Sequence, residues 1–191
     1  MLTYIIVALN IVAYVYTSVL GGDFVETSFN VILLYGQVNY FVMKGWYWQL
    51  FTSMFVHVNI IHLLGNMFFL LVFGLRAEEL FSLREYLGIY FLSGLAGNLL
   101  TLLFGPAMIS AGASGAIFGP FGACTIYIRR AVGQSIIGAL LYSFFLLTVS
   151  SGPNVNNFAH LGGLVVGLLI GYFLATRRKS RMIYQYSYSY P

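Results

Sequence analysis

Long apolar runs alternate with more polar connections along the chain, and each run approaches the length of about 20 residues that a helix needs to cross a membrane. The pattern predicts six helices, over residues 2–20, 58–75, 86–104, 113–128, 133–150 and 157–176. We therefore expect a single all-α, polytopic membrane domain that occupies residues 1–191.

The connection over residues 21–57 is much longer than the others. It holds the acidic residues Asp23 and Glu26 near its start and Gly-Trp-Tyr-Trp at 45–48 near its end. Tryptophan and tyrosine concentrate at the boundary between lipid headgroups and hydrocarbon, so we expect this loop to lie in the membrane interface. A disordered linker is the alternative, but such linkers contain few aromatic residues.

The composition is that of a protein in lipid, since 60% of the residues are hydrophobic, 7% are charged and the mean hydropathy is +0.86. Soluble domains carry about 25% charged residues. The single cysteine, Cys124, excludes an internal disulfide and a metal site built from cysteines. No basic segment precedes the first run, which predicts a retained helix rather than a cleaved signal peptide.

The basic residues lie between the runs, so the net charge of +4 does not indicate nucleic-acid binding. Lys44 falls on one side of the predicted membrane domain, and the other eight fall on the opposite side: Arg76, Arg84, Arg129, Arg130, Arg177, Arg178, Lys179 and Arg181. Because positively charged loops stay in the cytoplasm, the distribution predicts a cell-membrane protein with both termini cytoplasmic. Runs two, four and six then begin at the outer face.

Polar and ionisable side chains cluster at the starts of these three runs: His57, His62, Asn66, Ser114, Asn156, Asn157 and His160. Such side chains are costly inside a membrane, so the meeting of all three histidines at one face indicates a functional site. His57 lies five residues before His62 and would not share its face on a continuous helix. We assign His57 to loop structure.

Ser114 lies in the glycine-rich stretch Ser110–Gly119, at the predicted start of run four. The unpaired N–H groups and the macrodipole at a helix N-terminus favour developing negative charge, which suits a nucleophilic serine. A serine hydroxyl also needs a base within about 2.6–3.2 Å, and His160 is the candidate. The alternative is that the stretch is a patch of small residues for helix packing.

Two glycine pairs provide a way for the serine and the histidine to meet. Run four carries Gly115-x-x-x-Gly119 and run six carries Gly163-x-x-x-Gly167, both at the spacing of close helix contacts in membranes. Ser114 precedes its pair by one residue and His160 precedes its pair by three. Since both runs cross in the same direction, the two side chains are expected at the outer end of one helix contact.

His62 and Asn66 are four residues apart and share one helix face. Both side chains can donate hydrogen bonds to an oxyanion, together with the backbone N–H of Ser114. The alternative is an interhelical hydrogen bond that only stabilises helix packing. Phe118, one turn after Ser114, is a candidate to stack on the base, and ordinary packing is its alternative.

The sequence offers no obvious carboxylate to orient the histidine. Glu78, Glu79 and Glu85 lie on the predicted cytoplasmic side, a membrane thickness away. Asp23 and Glu26 lie early in the long loop, with no motif around them. The residues therefore predict a catalytic dyad rather than a triad.

The chain resembles the rhomboid intramembrane serine proteases over nearly all of its length, through three motifs: His62-x-x-x-Asn66, Gly112-x-Ser114-Gly115 and Ala159-His160-x-x-Gly163-x-x-x-Gly167. The resemblance implies a six-helix bundle around a water-filled cavity open to the outside, with a membrane-embedded hairpin before run two. It implies Ser114 as nucleophile, His160 as general base, and His62 and Asn66 at the oxyanion. It further implies transmembrane substrates cleaved near the outer face, and no cofactor.

Two positions depart from the family pattern. Gln49 follows Trp48 where the family often has arginine, which leaves open whether a polar network anchors the long loop. Phe118 stands where many members have tyrosine, so a stacked ring is kept but a phenol hydrogen bond is lost. Glu78 resembles an acidic residue at the inner end of the family's second helix, and we interpret it as structural.

Two other classes of protein fit part of the pattern. An inactive relative that binds membrane proteins without cutting them would usually lack the serine or the histidine, and both are present. A metal site built from His57, His62 and His160 would suit a transporter or a metalloprotease. Such a site is disfavoured because the sequence contains no His-Glu-x-x-His motif and no carboxylate on that face.

Overall fold

The fold is almost entirely helical, and the computed structural model describes residues 1–152 and 155–186, with side chains as far as Arg178. A long helix lies at each of the six predicted apolar runs: α1 (Leu2–Gly21), α5 (Ile60–Leu80), α6 (Leu83–Leu102), α7 (Ser114–Ala131), α8 (Ile136–Val149) and α9 (Asn157–Tyr186). Shorter elements lie between them: α2 (Phe29–Tyr35), β1 (Gln37–Val38), α3 (Asn39–Met43), α4 (Gln49–Thr52) and β2 (Ile109–Ser110).

Two of the long helices extend by five residues or more beyond their predicted ends, since α5 continues to Leu80 and α9 to Tyr186, and α7 runs three residues further than predicted, to Ala131. Charged residues end the apolar pattern at these points, but they do not end the helices. Arg76 pairs with Glu79 on α5. Arg178 of α9 donates to both carboxylate oxygens of Glu85 on α6, at 2.7 and 2.6 Å.

Glu78 links the end of α5 to the start of α1, because its carboxylate accepts a hydrogen bond from the N–H of Thr3 at 2.7 Å. Glu78 therefore has the structural contact that the sequence suggested.

The next helix, α6, begins with a capping box in which Ser82 and Glu85 each bond the other's backbone N–H. Capping of this kind satisfies N–H groups that a helix leaves unpaired at its start. The start of α6 is therefore stabilised by its own side chains.

Three helices in the described part of the chain are long and apolar enough to cross a membrane: Leu2–Gly21, Ile60–Leu80 and Asn157–Arg178. Ile136–Val149 is apolar but shorter. Helix α7 lies between α5, α6, α8 and α9, and every residue from Gly115 to Cys124 is buried. A helix enclosed in this way contacts protein rather than lipid, so its sequence can be richer in small residues and poorer in large apolar ones.

Residues 21–57 form a folded segment rather than a linker. β1 pairs antiparallel with β2, which places Gln37 opposite Ser110. Asn98 of α6 donates to the carbonyl oxygen of Leu50 at 2.8 Å and to the hydroxyl of Ser53 at 3.0 Å. The segment is thus tied both to α6 and to the strand that leads into α7.

Gln49 anchors this segment from inside. Its side chain is fully buried, and its Nε2 donates to the carbonyl oxygen of Leu33 at 2.8 Å. Its Oε1 accepts a hydrogen bond from the N–H of Val38 at 2.9 Å. A polar network therefore holds the segment with glutamine at the position where the family often has arginine.

Candidate active site

Ser114 is the first residue of α7, and the chain reaches it through a sharp turn after β2. Gly112 makes that turn with a φ of +127°, a region that side-chain-bearing residues rarely adopt. The N–H of Gly112 donates to the carbonyl oxygen of Ser53 at 2.9 Å, which fixes the turn against the folded segment. The glycine-rich sequence therefore places the serine at a helix N-terminus, as the sequence predicted.

His160 lies in the first turn of α9, and its Nε2 is 2.8 Å from the hydroxyl oxygen of Ser114. That separation is within the range of about 2.6–3.2 Å in which a base can take the hydroxyl proton. The ring of Phe118 stacks on the imidazole, with centroids 4.6 Å apart and an interplanar angle of 26°. A phenylalanine thus provides the stacking contact, without a hydroxyl group.

The second ring nitrogen of His160, Nδ1, is buried and has no hydrogen-bond partner among the described residues. Of the two acids of the long loop, Glu26 is exposed and Asp23 is engaged within its own turn. Asp23 accepts hydrogen bonds from the N–H groups of Val25 and Glu26, at 2.6 and 3.2 Å, which lower the pKa of its exposed carboxyl. In the described structure the serine and the histidine form a pair without a carboxylate.

Backbone contact between α7 and α9 brings the pair together. A Cβ atom on Gly163 would overlap the carbonyl oxygen of Gly115, and one on Gly167 would overlap that of Gly119. All four glycines were identified from their spacing. Gly97 of α6 was missed, although a Cβ there would overlap the carbonyl oxygen of Ala159. The spacing Ser93-x-x-x-Gly97 on α6 is of the small-residue kind and could have indicated this contact.

His62 lies against the turn that carries Ser114. A Cβ atom on Gly112 would be 2.7 Å from Cε1 and 2.9 Å from Nε2 of the His62 ring, so glycine is needed for this close approach. Asn59 caps α5, because its Oδ1 accepts from the N–H of His62 at 2.8 Å. This cap was not recognised from the sequence.

Asn66 shares the face of His62, as its position four residues later predicted. Its side chain is buried, and its Nδ2 donates to the carbonyl oxygen of His62 at 2.9 Å. An amide nitrogen carries two hydrogens, so one remains for a second acceptor. The contact is within α5 and gives no support to an interhelical bond.

His57 lies in the connection before α5, as expected, and is fully buried. Its ring meets that of His62 edge to face, with centroids 5.2 Å apart, and its Nδ1 is 3.3 Å from the carbonyl oxygen of Phe55. Burial, with the nearby His62, lowers the pKa of His57 to about 3. Among the residues with described side chains, no group of three or more His, Cys, Asp or Glu is arranged to hold a metal ion.

A cavity of about 520 Å³ opens at the serine. Its polar lining comprises His62, Asn66, Ser110, Ser114, Ser150, Asn156 and His160. The remaining wall is apolar and includes Phe69, Phe73 and Phe121. The cavity therefore combines a few polar groups around the serine with an apolar, aromatic wall, as binding pockets commonly do.

Comparison with known proteins identifies the class. The family model of the Rhomboid domain matches residues 44–177. The chain therefore belongs to the rhomboid family and is a membrane protein.

Three relatives illustrate the match. RHOMBOID-like protein 6, mitochondrial, of Arabidopsis thaliana is 38% identical over 139 residues, which cover 70% of this chain and 45% of the relative. Rhomboid-like protease 3 of Toxoplasma gondii is 31% identical over 172 residues, 84% of this chain and 64% of the relative. Rhomboid protease GluP of Bacillus subtilis (strain 168) is 32% identical over 175 residues, 86% of this chain and 33% of the relative. The chain thus spans between a third and two thirds of the length of these relatives.

Proposed function

We propose that the protein is an intramembrane serine endopeptidase that cleaves transmembrane segments near the outer face of the cell membrane. The observation that supports this most directly is the 2.8 Å contact between His160 Nε2 and the hydroxyl of Ser114, at the cavity of a rhomboid domain. Two of its relatives are named as proteases. An inactive membrane-protein binder has no need of such a pair.

In the proposed reaction His160 Nε2 accepts the hydroxyl proton while Ser114 Oγ attacks the carbonyl carbon of the scissile peptide bond. The tetrahedral intermediate collapses, the C–N bond breaks, and His160 gives its proton to the leaving amine. The acyl group is then an ester on Ser114. Water attacks this ester with His160 again acting as base, and the serine hydroxyl is restored.

The oxyanion of the intermediate would be stabilised by the backbone N–H of Ser114 and by His62 and Asn66. Ser114 is at the N-terminus of α7, where the first N–H groups have no intrahelical partner. His62 and Asn66 line the same cavity, and the amide of Asn66 retains one free hydrogen. Each donor of this kind can contribute about 3–4 kcal/mol to transition-state stabilisation.

The proposed topology has all six long helices crossing the membrane, with residues 21–57 embedded at the outer face and both termini cytoplasmic. The distribution of basic residues supports it through the positive-inside rule. The end of α9 lies beside the α5–α6 connection, since Arg178 donates to the carbonyl oxygen of Leu80 at 3.0 Å. Basic residues of these two regions therefore lie at the same end of the bundle, whereas Ser114 begins α7 at the other.

The proposal is tested with purified protein, a fluorophosphonate probe and a panel of single-span membrane substrates. The probe should label wild-type protein at Ser114 but not Ser114→Ala, and mass spectrometry should locate the cut near the outer end of a span. His160→Ala should be inactive and nearly unlabelled. Activity should survive a chelator, whereas a metal site at the histidines would lose it. Unchanged cleavage by Ser114→Ala would disprove the mechanism.

A further inference from the structure

Asn156 stands immediately before α9 and makes hydrogen bonds with both ends of its side-chain amide. Its Oδ1 accepts from the N–H of Ala159 at 3.1 Å, which is the bond of a helix N-cap. Its backbone carbonyl oxygen accepts the N–H of His160 at 3.2 Å. His160 therefore lies in the first turn of α9, and the geometry of that turn is set by Asn156.

The other end of the amide reaches α6. Nδ2 of Asn156 donates to the hydroxyl oxygen of Thr101 at 2.9 Å. That hydroxyl donates its own proton to the carbonyl oxygen of Gly97 at 2.9 Å, so it is free to act as the acceptor. Thr101 is fully buried, and its backbone carbonyl accepts from Nδ2 of Asn39 in α3 at 2.8 Å.

The first turn of α9 is also held by close backbone contact. A Cβ on Gly97 would overlap the carbonyl oxygen of Ala159, and one on Gly115 would come within 3.1 Å of the same atom. The first turn of α9 therefore packs tightly between α6 and α7, and these contacts limit its movement on both sides. These contacts do not prevent the first turn of α9 from unwinding, because the N–H groups at a helix start have no intrahelical partners and need a cap.

We propose that Asn156 is a positioning residue for His160, which caps α9 and ties it through Thr101 to α6 and to the folded segment at α3. This inference rests on the proposed function, in which His160 is the base. Loss of the cap or of the tether lets the first turn fray, and the imidazole then spends less time within reach of Ser114. Displacement by about 1 Å can lower a rate by about 10²-fold.

The test compares Asn156→Ala, which removes cap and tether, with Thr101→Val, which keeps the shape of the side chain but removes the acceptor. Thr148→Val is the matched control, because the Thr148 hydroxyl is exposed and bonds only to the carbonyl oxygen of Phe144 within α8. Three quantities are measured on each protein: the rate of fluorophosphonate labelling at Ser114, the kcat and KM for a membrane substrate, and hydrogen exchange at the amides of Ala159 and His160.

Asn156→Ala is expected to slow labelling and kcat by about tenfold or more with KM within about twofold, and to speed amide exchange at residues 159 and 160. Thr101→Val should show the same changes to a smaller degree, and Thr148→Val none. Unchanged exchange and labelling in Asn156→Ala, or in Thr101→Val if the first variant fails to fold, would overturn the inference. Faster exchange in a protein whose wild type is never labelled at Ser114 would keep the positioning role and reject the proposed function.

Discussion

The carbonyl oxygen of Gly115 lies in the space that a Cβ atom on Gly163 would need. Helices α7 and α9 therefore touch backbone to backbone, and the lack of side chains sets the distance between them. In lipid, where little hydrophobic drive exists between helices, such contacts and the packing they allow determine how close two helices come. Ser114 and His160 project from one end of this contact, so the distance between them depends on it.

Gly163→Ala is expected to be nearly inactive yet folded in detergent. Gly163→Val should lose activity and stability to a greater degree. The added methyl group must push the helices apart, at a cost of about 1–3 kcal/mol where the structure can adjust. A separation of about 1 Å at the dyad can lower the rate by about 10²-fold. Cleavage and thermal unfolding are measured on the same preparations.

Gly88 on α6 supplies the matched control, because a Cβ there would have no atom within 4 Å. Gly88→Ala should retain wild-type activity and unfold at the same temperature or slightly higher, since alanine favours helices over glycine. Full activity in Gly163→Ala would show that the glycines do not set the dyad distance.

Replacing His62 or Asn66 by alanine should lower kcat by about 10²–10³-fold with a much smaller change in KM. An oxyanion donor acts mainly in the transition state, so its loss affects the rate constant more than substrate binding. Steady-state kinetics with one membrane substrate separate the two effects. Should either variant lose only binding, or simply unfold, the side chain stabilises the helices and is not an oxyanion donor.

Activity is expected to need no carboxylate. Asp23→Asn and Glu26→Gln should each keep turnover within about tenfold of wild type, since removal of an orienting acid can cost about 10⁴ in rate. Asp23 accepts hydrogen bonds from backbone N–H groups of its own turn, which lower the pKa of its carboxyl, and in the described part of the chain it is not bonded to His160. A loss of about 10⁴-fold in either folded variant would show that the replaced acid is the third member of a catalytic triad.

The sequence predicted the long helices because a membrane imposes a length and a composition that are visible in single runs. It also predicted that Ser114 and His160 would meet, because glycine spacing on α7 and α9 reports where two backbones come close. The helix ends were less accurate. The apolar run stops near residue 75 because charged residues such as Arg76 follow, but such residues do not end a helix and α5 continues to Leu80.

Contacts that depend on tertiary placement could not be found in the same way. The two-residue strand β1 is too short to show alternation, and its partner β2 lies some 70 residues later. Gln49 gave no sign of its acceptors, because they are backbone groups of another element. Asn156 has the residue type of an N-cap, but its bond to Thr101 requires that α6 and α9 be adjacent.

Gln49→Leu is expected to destabilise the protein more than it changes the chemistry of the dyad. Leucine fills a similar volume but leaves the N–H of Val38 and the carbonyl oxygen of Leu33 without their partners, and each buried unpaired group costs about 1–3 kcal/mol. Thermal unfolding in detergent should show a lower midpoint than wild type. Gln134→Leu, at an exposed position, is the control, and equal midpoints for the two variants would show that Gln49 does not anchor the segment.

Gly112→Ala should lose kcat through contact with His62 and not through backbone strain alone. Alanine at a φ of +127° is strained, and its Cβ would also be 2.7 Å from Cε1 of the His62 ring, so the imidazole must move away from the oxyanion. Gly105→Ala separates the two effects, because the φ of Gly105 is +92° but a Cβ there would have no atom within 4 Å.

Gly112→Ala and Gly105→Ala should both unfold at a lower temperature than wild type, because both place a side chain at a strained backbone position. Only Gly112→Ala should lower kcat, by about tenfold or more at similar KM, because a displaced donor weakens transition-state stabilisation. Equal kcat values for the two variants, measured on folded protein, would place His62 outside the reaction.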